Sequence, residues 1–218
     1  MLKLYDYFRS SACFRVRIAL HLKQLDYELI PIHLVNQGGE QLLESYQKIN
    51  PACLVPALQD DDKILTQSMA IIEYINDLHP YPSLFPDTIF ERALARSFAL
   101  SITADIHPLN NLRILKYLTH ELNVSEEKKT EWYKHWVDKG LAALEKQLLS
   151  HHRAGPFCFG DKPSIADICL VPQLYNARRF NCDQRLYPTL VQIDEHCQTH
   201  PAFIKAWPME TMAKKENI

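Results

Sequence analysis

Within residues 1–80, short apolar stretches of two-residue period alternate with segments of helical period, and the alternation stops at a run of prolines. Leu2-Lys3-Leu4-Tyr5-Asp6-Tyr7 reads as a strand, and the helix after it carries Ala12, Val16, Ala19 and Leu20 on one face. Tyr27-Glu28-Leu29-Ile30-Pro31-Ile32 reads as a second strand, ended by Asn36-Gln37-Gly38-Gly39. A short amphipathic helix around Gln41 to Lys48 stops before Asn50-Pro51, because a residue preceding proline is pushed out of helical dihedrals. In Leu54-Val55-Pro56-Ala57-Leu58-Gln59, Pro56 cannot donate to a ladder and is expected at an edge or in a special turn, a need that a cis bond meets. That arrangement leaves the N–H and C=O of Val55 for an extended peptide. Asp60-Asp61-Asp62 reads as a hairpin turn into Ile64-Leu65-Thr66, and the helix beginning near Gln67 has Ser68 as its expected N-cap. The order is β-α-β-α-β-β-α.

His79-Pro80-Tyr81-Pro82-Ser83-Leu84-Phe85-Pro86-Asp87 can continue neither element and marks a linker between a domain over 1–80 and a second over 87–218. Beyond it, Ile89 to Leu118, Glu126 to Leu149, Ser164 to Arg178 and Leu190 to Cys197 carry apolar residues at helical spacing, so the second domain is expected to be all helix, its first helix bent at Pro108. Ser164-Ile165-Ala166-Asp167 has the form of a capping box with Asp in place of Glu or Gln, and is read as structural.

A net charge of -2 and the absence of any block of like charges give no reason to expect nucleic-acid binding. No leader pattern opens the chain and no apolar run reaches the roughly 18 residues of a membrane span, so a cytoplasmic location without membrane contact is expected. The six cysteines, Cys13, Cys53, Cys158, Cys169, Cys182 and Cys197, form no Cys-x-x-Cys and are expected as free thiols. No His/Cys cluster has zinc-finger spacing, and the adjacent pair His151-His152 would diverge on a helix, so no metal is expected.

Ser10 and Ser11 stand where the first strand gives way to the first helix. Such an entrance suits an anion. Its first amides lack intrahelical partners, the helix dipole is positive there, and a hydroxyl can donate to a negative sulfur or oxygen.

The stretch Ser10-Ser11-Ala12-Cys13-Phe14-Arg15-Val16-Arg17-Ile18-Ala19-Leu20 resembles the Ser-Ser-Cys-x-x-Arg-Val-Arg-Ile-Ala-Leu signature of the zeta class of cytosolic glutathione transferases, the maleylacetoacetate isomerases. Asn50-Pro51 with Val55-Pro56, Gln67-Ser68 with Ala70-Ile71-Ile72-Glu73-Tyr74, Ala166-Asp167 with Leu170-Val171-Pro172-Gln173, and Asn176-Ala177-Arg178-Arg179-Phe180 extend the likeness over most of the chain. One position departs: Ala12 stands where the signature has cysteine, and the cysteine here is Cys13. The departure moves the activating role to serine.

The resemblance implies an α/β thioredoxin-like N-terminal domain, an all-α C-terminal domain, a homodimer, and glutathione-dependent isomerisation of maleylacetoacetate to fumarylacetoacetate in tyrosine and phenylalanine breakdown. In that chemistry glutathione is a borrowed nucleophile. Ser10 is the first choice for the thiolate donor and Ser11 the second, with helix capping as the alternative role, weighed most evenly for Ser11. A redox or mixed-disulfide role for Cys13 is the lesser reading, since no resolving cysteine sits beside it. Val55 offers backbone bonds to the tripeptide, and Gln67 with Ser68 a helix entrance for its γ-glutamyl carboxylate. Gln41 matches a glutathione-contacting position of the family, or is a solvated helix residue. Tyr5 and Tyr7 are read as strand packing, although other classes use tyrosine as the thiol donor. Arg9, Arg113 and Arg179 are candidates for the carboxylates of a small cis-enedione acid, His107 for glutathione or a developing enolate, and Asn111, one turn on, for the substrate. Maleylpyruvate isomerase, a general conjugating or dehalogenating transferase, and a transferase-fold regulatory binding protein are the rivals.

Overall fold

The computed structural model describes residues 1–151 and 155–208, so His152 lies outside the described residues. It divides into two compact units, Met1–Ser83 together with the chain from His200, and Leu84–Thr199.

The first unit is built on a four-stranded sheet, β1 (Leu2–Asp6), β2 (Tyr27–Pro31), β3 (Ala57–Asp60) and β4 (Lys63–Thr66), in the order β2-β1-β3-β4. β1 runs parallel to β2 and antiparallel to β3, and β3 is antiparallel to β4. α1 (Ser11–Leu22), α2 (Glu44–Gln47) and α3 (Ser68–Leu78) complete the expected order. Pro56 lies just before β3, an interior strand, and its own residue is outside the ladder; the Val55–Pro56 bond is cis.

α1 is buried on nearly every side, from Cys13 to Leu20 without interruption, because α3 and α10 (Pro201–Ala206) both pack on it. The sequence places everything after 87 in the second domain, whereas α10 clusters with the first unit. Helical periodicity announces a helix, but it does not say which layer the helix covers. Where the linker begins, Lys23 donates through Nζ to Oδ1 of Asn76 at 3.0 Å and to the carbonyls of His79 and Pro82 at 2.5 Å each. The Tyr81–Pro82 bond is also cis.

Among the described residues of the second unit the elements are helices, and the one β pairing is an isolated bridge between Phe157 and Gly160. The single bent helix expected over 89–118 is replaced by α4 (Ile89–Leu100), a π-helical stretch Ser101–Ile106, α5 (His107–Asn110) and α6 (Leu112–His120). Pro108 has no N–H to offer a carbonyl four residues back, and the chain meets that loss with wider turns before it. Asn111 then stops the helix and starts the next, its Oδ1 accepting from the Arg113 N–H at 3.1 Å. α7 (Glu126–Ser150), α8 (Ile165–Arg179) and α9 (Pro188–Cys197) follow.

Ser164 and Asp167 form the expected capping box at the start of α8. The fully buried Asp167 carboxylate accepts from the N–H of Cys158 at 2.7 Å, the N–H of Ser164 at 2.8 Å and the Ser164 hydroxyl at 2.9 Å. Glu145 of α7 does the equivalent for α9, accepting from the N–H groups of Thr189 and Leu190 at 3.0 Å each. None of the six cysteines is in a disulfide.

Candidate active site

Four connections leave the sheet of the first unit at one end. Asp6 closes β1 opposite Pro31 of β2, and Tyr5 pairs with Ala57, the first residue of β3, which in turn pairs with Thr66, the last of β4. Ser10, Gln41, Val55 and Ser68 therefore all lie on loops or helix starts at that end, the place where strands of α/β sheets deliver ligand-binding groups.

At the β1–α1 turn the structure separates the two serines by role. Ser10 has extended dihedrals and is the N-cap: its Oγ accepts from the Cys13 N–H at 3.3 Å. Ser11 is the first helical residue and is buried. The capping role that the sequence weighs most evenly for Ser11 thus belongs to Ser10. Capping uses a lone pair of Ser10 and not its hydroxyl hydrogen, which lies within reach of the Cys13 sulfur and can turn instead to a ligand acceptor. The backbone closes a ring around it, with Ser10 N–H donating to the Tyr7 carbonyl at 2.9 Å and Tyr7 N–H donating to Sγ of Cys13 at 3.4 Å. Cys13 is completely buried, and burial raises its thiol well above the ordinary range. A protonated, enclosed thiol has little reactivity, so Cys13 here is a structural partner.

Gln41, expected near a short helix, is buried in a single turn of tighter helix, Glu40–Leu42, with no hydrogen-bond partner for its Oε1. Gly39 makes this possible. Its φ is +120°, and a Cβ there would stand 2.6 Å from Nε2 of Gln41. The loop is held by the Glu40 carboxylate, which accepts from His33 N–H at 2.6 Å, and by the His33 carbonyl, which accepts from Glu40 N–H at 2.7 Å. A buried acceptor without a partner fits a ligand amide such as glutathione carries.

Val55 lies two residues before β3, and the carbonyl of its neighbour Leu54 is fixed by the Tyr46 hydroxyl at 2.8 Å and by Nδ2 of Asn50 at 2.7 Å. Ser68 is not the N-cap of α3. Gln67 takes that position with a φ of +69° and no side-chain cap, and Ser68 is the first helical residue. Its Oγ accepts from Nη1 of the buried Arg15 at 3.3 Å, which leaves the hydroxyl hydrogen to point at another acceptor. Gln67, a non-glycine residue in the left-handed region, is a strained position of the kind that gathers at ligand sites. Arg9 is exposed, with its guanidinium 4.9 Å above the Phe8 ring. Tyr5 and Tyr7 pack as expected: Tyr5 donates to Oε1 of Gln59 at 2.9 Å and meets Tyr46 edge-on, while Tyr7 packs against Phe8 and His33.

The remaining candidates belong to the second unit. His107 and Asn111 sit one turn apart, Nε2 to Nδ2 at 3.5 Å, just after the π-helical stretch. Arg113 is exposed in the first turn of α6. Arg179 ends α8, exposed, with Nη1 at 3.5 Å from Oδ1 of Asn176 and its guanidinium 5.8 Å from the Tyr175 ring centre. Among the described residues no group of three or more His, Cys, Asp or Glu could hold a metal ion, and no helix is long and apolar enough to cross a membrane.

Arg15 and Arg17 escape the sequence reading. Both are buried on α1, Arg17 against Asp6 with Nη1 to Oδ1 at 2.5 Å. The signals for them are their place in the Ser10 to Leu20 signature and their interruption of a largely apolar helix, and neither says that they are buried.

Residues 1–77 match the family model described as glutathione S-transferase, N-terminal domain, and residues 131–188 the corresponding C-terminal domain. The chain is 51% identical, over 94% of each protein, to a probable maleylacetoacetate isomerase of Vibrio cholerae. It is similar to a maleyl pyruvate isomerase described as a bacterial zeta-class glutathione S-transferase, with a TM-score of 0.91, 39% identity, and coverage of 94% of this chain and 96% of that one. A maleylacetoacetate isomerase from Anaeromyxobacter dehalogenans with glutathione bound in its active site has a TM-score of 0.84 and 40% identity over 95% of each chain. A helix entrance capped by serine, a buried glutamine with an acceptor to spare and a sheet of this order thus coincide with full-length likeness, and the chain belongs to the zeta class of the glutathione S-transferase family.

Proposed function

We propose that the protein is a glutathione-dependent cis-trans isomerase acting on maleylacetoacetate, with Ser10 as the donor to the glutathione sulfur. The observation that carries this reading is the Ser10 cap itself: one hydroxyl placed at the positive end of α1 by a backbone bond, with its hydrogen uncommitted to that bond. Glutathione, when bound, supplies the sulfur nucleophile that adds reversibly to the conjugated double bond and permits its rotation.

Each residue then has a task. Ser10 donates toward the sulfur and favours its ionised form, with Ser11 beside it at the first helical position. Gln41 accepts a ligand amide at its buried Oε1, Val55 pairs with the tripeptide backbone, and Gln67 with Ser68 receives the γ-glutamyl carboxylate at the start of α3. His107 and Asn111 are assigned to glutathione and substrate respectively, and Arg9, Arg113 and Arg179 to the substrate carboxylates, for which a guanidinium offers two parallel donors. A homodimer in the cytoplasm completes the proposal, in keeping with six cysteines outside any disulfide.

Maleylpyruvate is the second reading of the substrate, favoured by the TM-score of 0.91 to a protein named for it. The test follows the loss of the cis isomer of each acid with and without glutathione. Turnover that requires glutathione and falls in Ser10→Ala, with glutathione still bound, is expected; turnover of neither acid would overturn the proposal.

A further inference from the structure

Arg17 is buried, and its guanidinium spends three N–H groups on three separate parts of the first unit. Nη1 meets Oδ1 of Asp6 at 2.5 Å, Nη2 donates to the Phe8 carbonyl at 3.1 Å, and Nε donates to the Ala206 carbonyl at 3.0 Å. Asp6 ends β1, Phe8 lies in the turn, and Ala206 ends α10. The Arg17 and Asp6 side chains are 4% and 1% exposed.

A buried ion pair is weak evidence for stability, because removing both charges from water offsets their attraction. It does fix geometry, since a planar guanidinium reaches three acceptors only in one orientation. The Phe8 carbonyl is the telling acceptor. Phe8 sits two residues before Ser10, and Tyr7 between Asp6 and Phe8 is itself held, through its N–H on Sγ of Cys13 and its carbonyl on the Ser10 N–H. The chain from Asp6 to Ser10 is therefore tied at Asp6, Tyr7, Phe8 and Ser10, and Arg17 holds two of the ties.

We infer that Arg17 is a positioning residue for Ser10: oriented by Asp6, it sets the path of the Phe8 backbone and so the place of the Ser10 hydroxyl at the entrance to α1. The inference rests on the reading of Ser10 as donor to the glutathione sulfur. The ionisable groups that feel the Arg17 charge are Asp6, Cys13, His21 and Tyr27.

The full-length protein, its Arg17→Lys and Asp6→Asn variants and, in parallel, Ser10→Ala are titrated with glutathione bound, following thiolate absorbance in the ultraviolet. A displaced Ser10 leaves the sulfur harder to ionise, so both variants are expected to move the bound thiol and the pH profile of kcat upward by about one pH unit. At pH values well below the bound thiol's pKa that is roughly a tenfold loss of kcat, with KM for glutathione held within about twofold. Folded variants with an unmoved thiol and profile overturn the inference, while an unmoved thiol in Ser10→Ala overturns the reading beneath it. Where neither variant folds, the wild-type chain decides: the Nε–Hε resonance of Arg17 must respond differently to glutathione and to S-methylglutathione, which has no ionisable thiol. Identical responses overturn the inference.

Discussion

The backbone N–H of Cys13 donates to Oγ of Ser10 at 3.3 Å, and that one bond makes the residue proposed as donor to the glutathione sulfur also the cap of α1. Ser10→Ala removes both functions at once. Loss of the cap should cost about 1 kcal/mol in chemical denaturation, and loss of the donor should lower kcat on the order of a hundredfold. Ser10→Thr keeps a hydroxyl and should restore most of both, which parallel denaturation and kinetics on the two variants would show.

Gly39 disfavours a side chain, since its φ of +120° strains any other residue and a Cβ would stand 2.6 Å from the Gln41 side chain, which would have to move. Gly39→Ala should push Gln41 out of its buried position and raise KM for glutathione roughly tenfold while kcat changes little, the pattern of lost ground-state binding. Steady-state kinetics at varied glutathione would show it.

Gly140 plays a comparable part in the second unit, where a Cβ would stand 2.4 Å from Cγ1 of Ile106 at the end of the π-helical stretch. Gly140→Ala should destabilise the fold by about 1 to 3 kcal/mol through overpacking. Because Ile106 directly precedes His107, urea denaturation paired with kinetics should register both a lower midpoint and a lower kcat/KM.

Asp167 accepts three hydrogen bonds in complete burial. Asp167→Ala leaves two backbone N–H groups without a partner, and should cost roughly 4 kcal/mol. The melting temperature should fall while kcat per folded molecule holds; a lost kcat at unchanged stability would contradict the structural role.

Alkaline pH should loosen the protein through its buried thiols and phenols. Burial raises the Cys182 thiol from 9.0 to about 12 and the Tyr27 phenol from 10.0 to about 12, and Cys13 and Cys197 move in the same direction. Above pH 9 the unfolded chain gives up these protons and the folded chain keeps them, so stability falls as pH rises across the interval from 9 to 12. Melting temperature measured against pH should decline there, and Cys182→Ala should make the decline shallower.

The amino-acid order determined a good deal by itself. Alternating periods, turn residues and the proline linker predict the β-α-β-α-β-β-α order and the helical second unit, because these signals are local and each element answers to its own few residues. The Ser164–Asp167 box is legible for the same reason, since a cap and the amides it satisfies are neighbours in the chain.

Only the tertiary structure decided the rest. Which serine caps α1 and that Gln67 rather than Ser68 opens α3 depend on dihedral angles that neighbouring elements impose. That Arg15 and Arg17 are buried and that α10 returns to the first unit depend on partners elsewhere in the chain, Ser68, Asp6 and Ala206 among them. A charged or amide side chain reads as solvent-facing until the fold supplies the partner that makes burial affordable in free energy, and no local pattern records that partner.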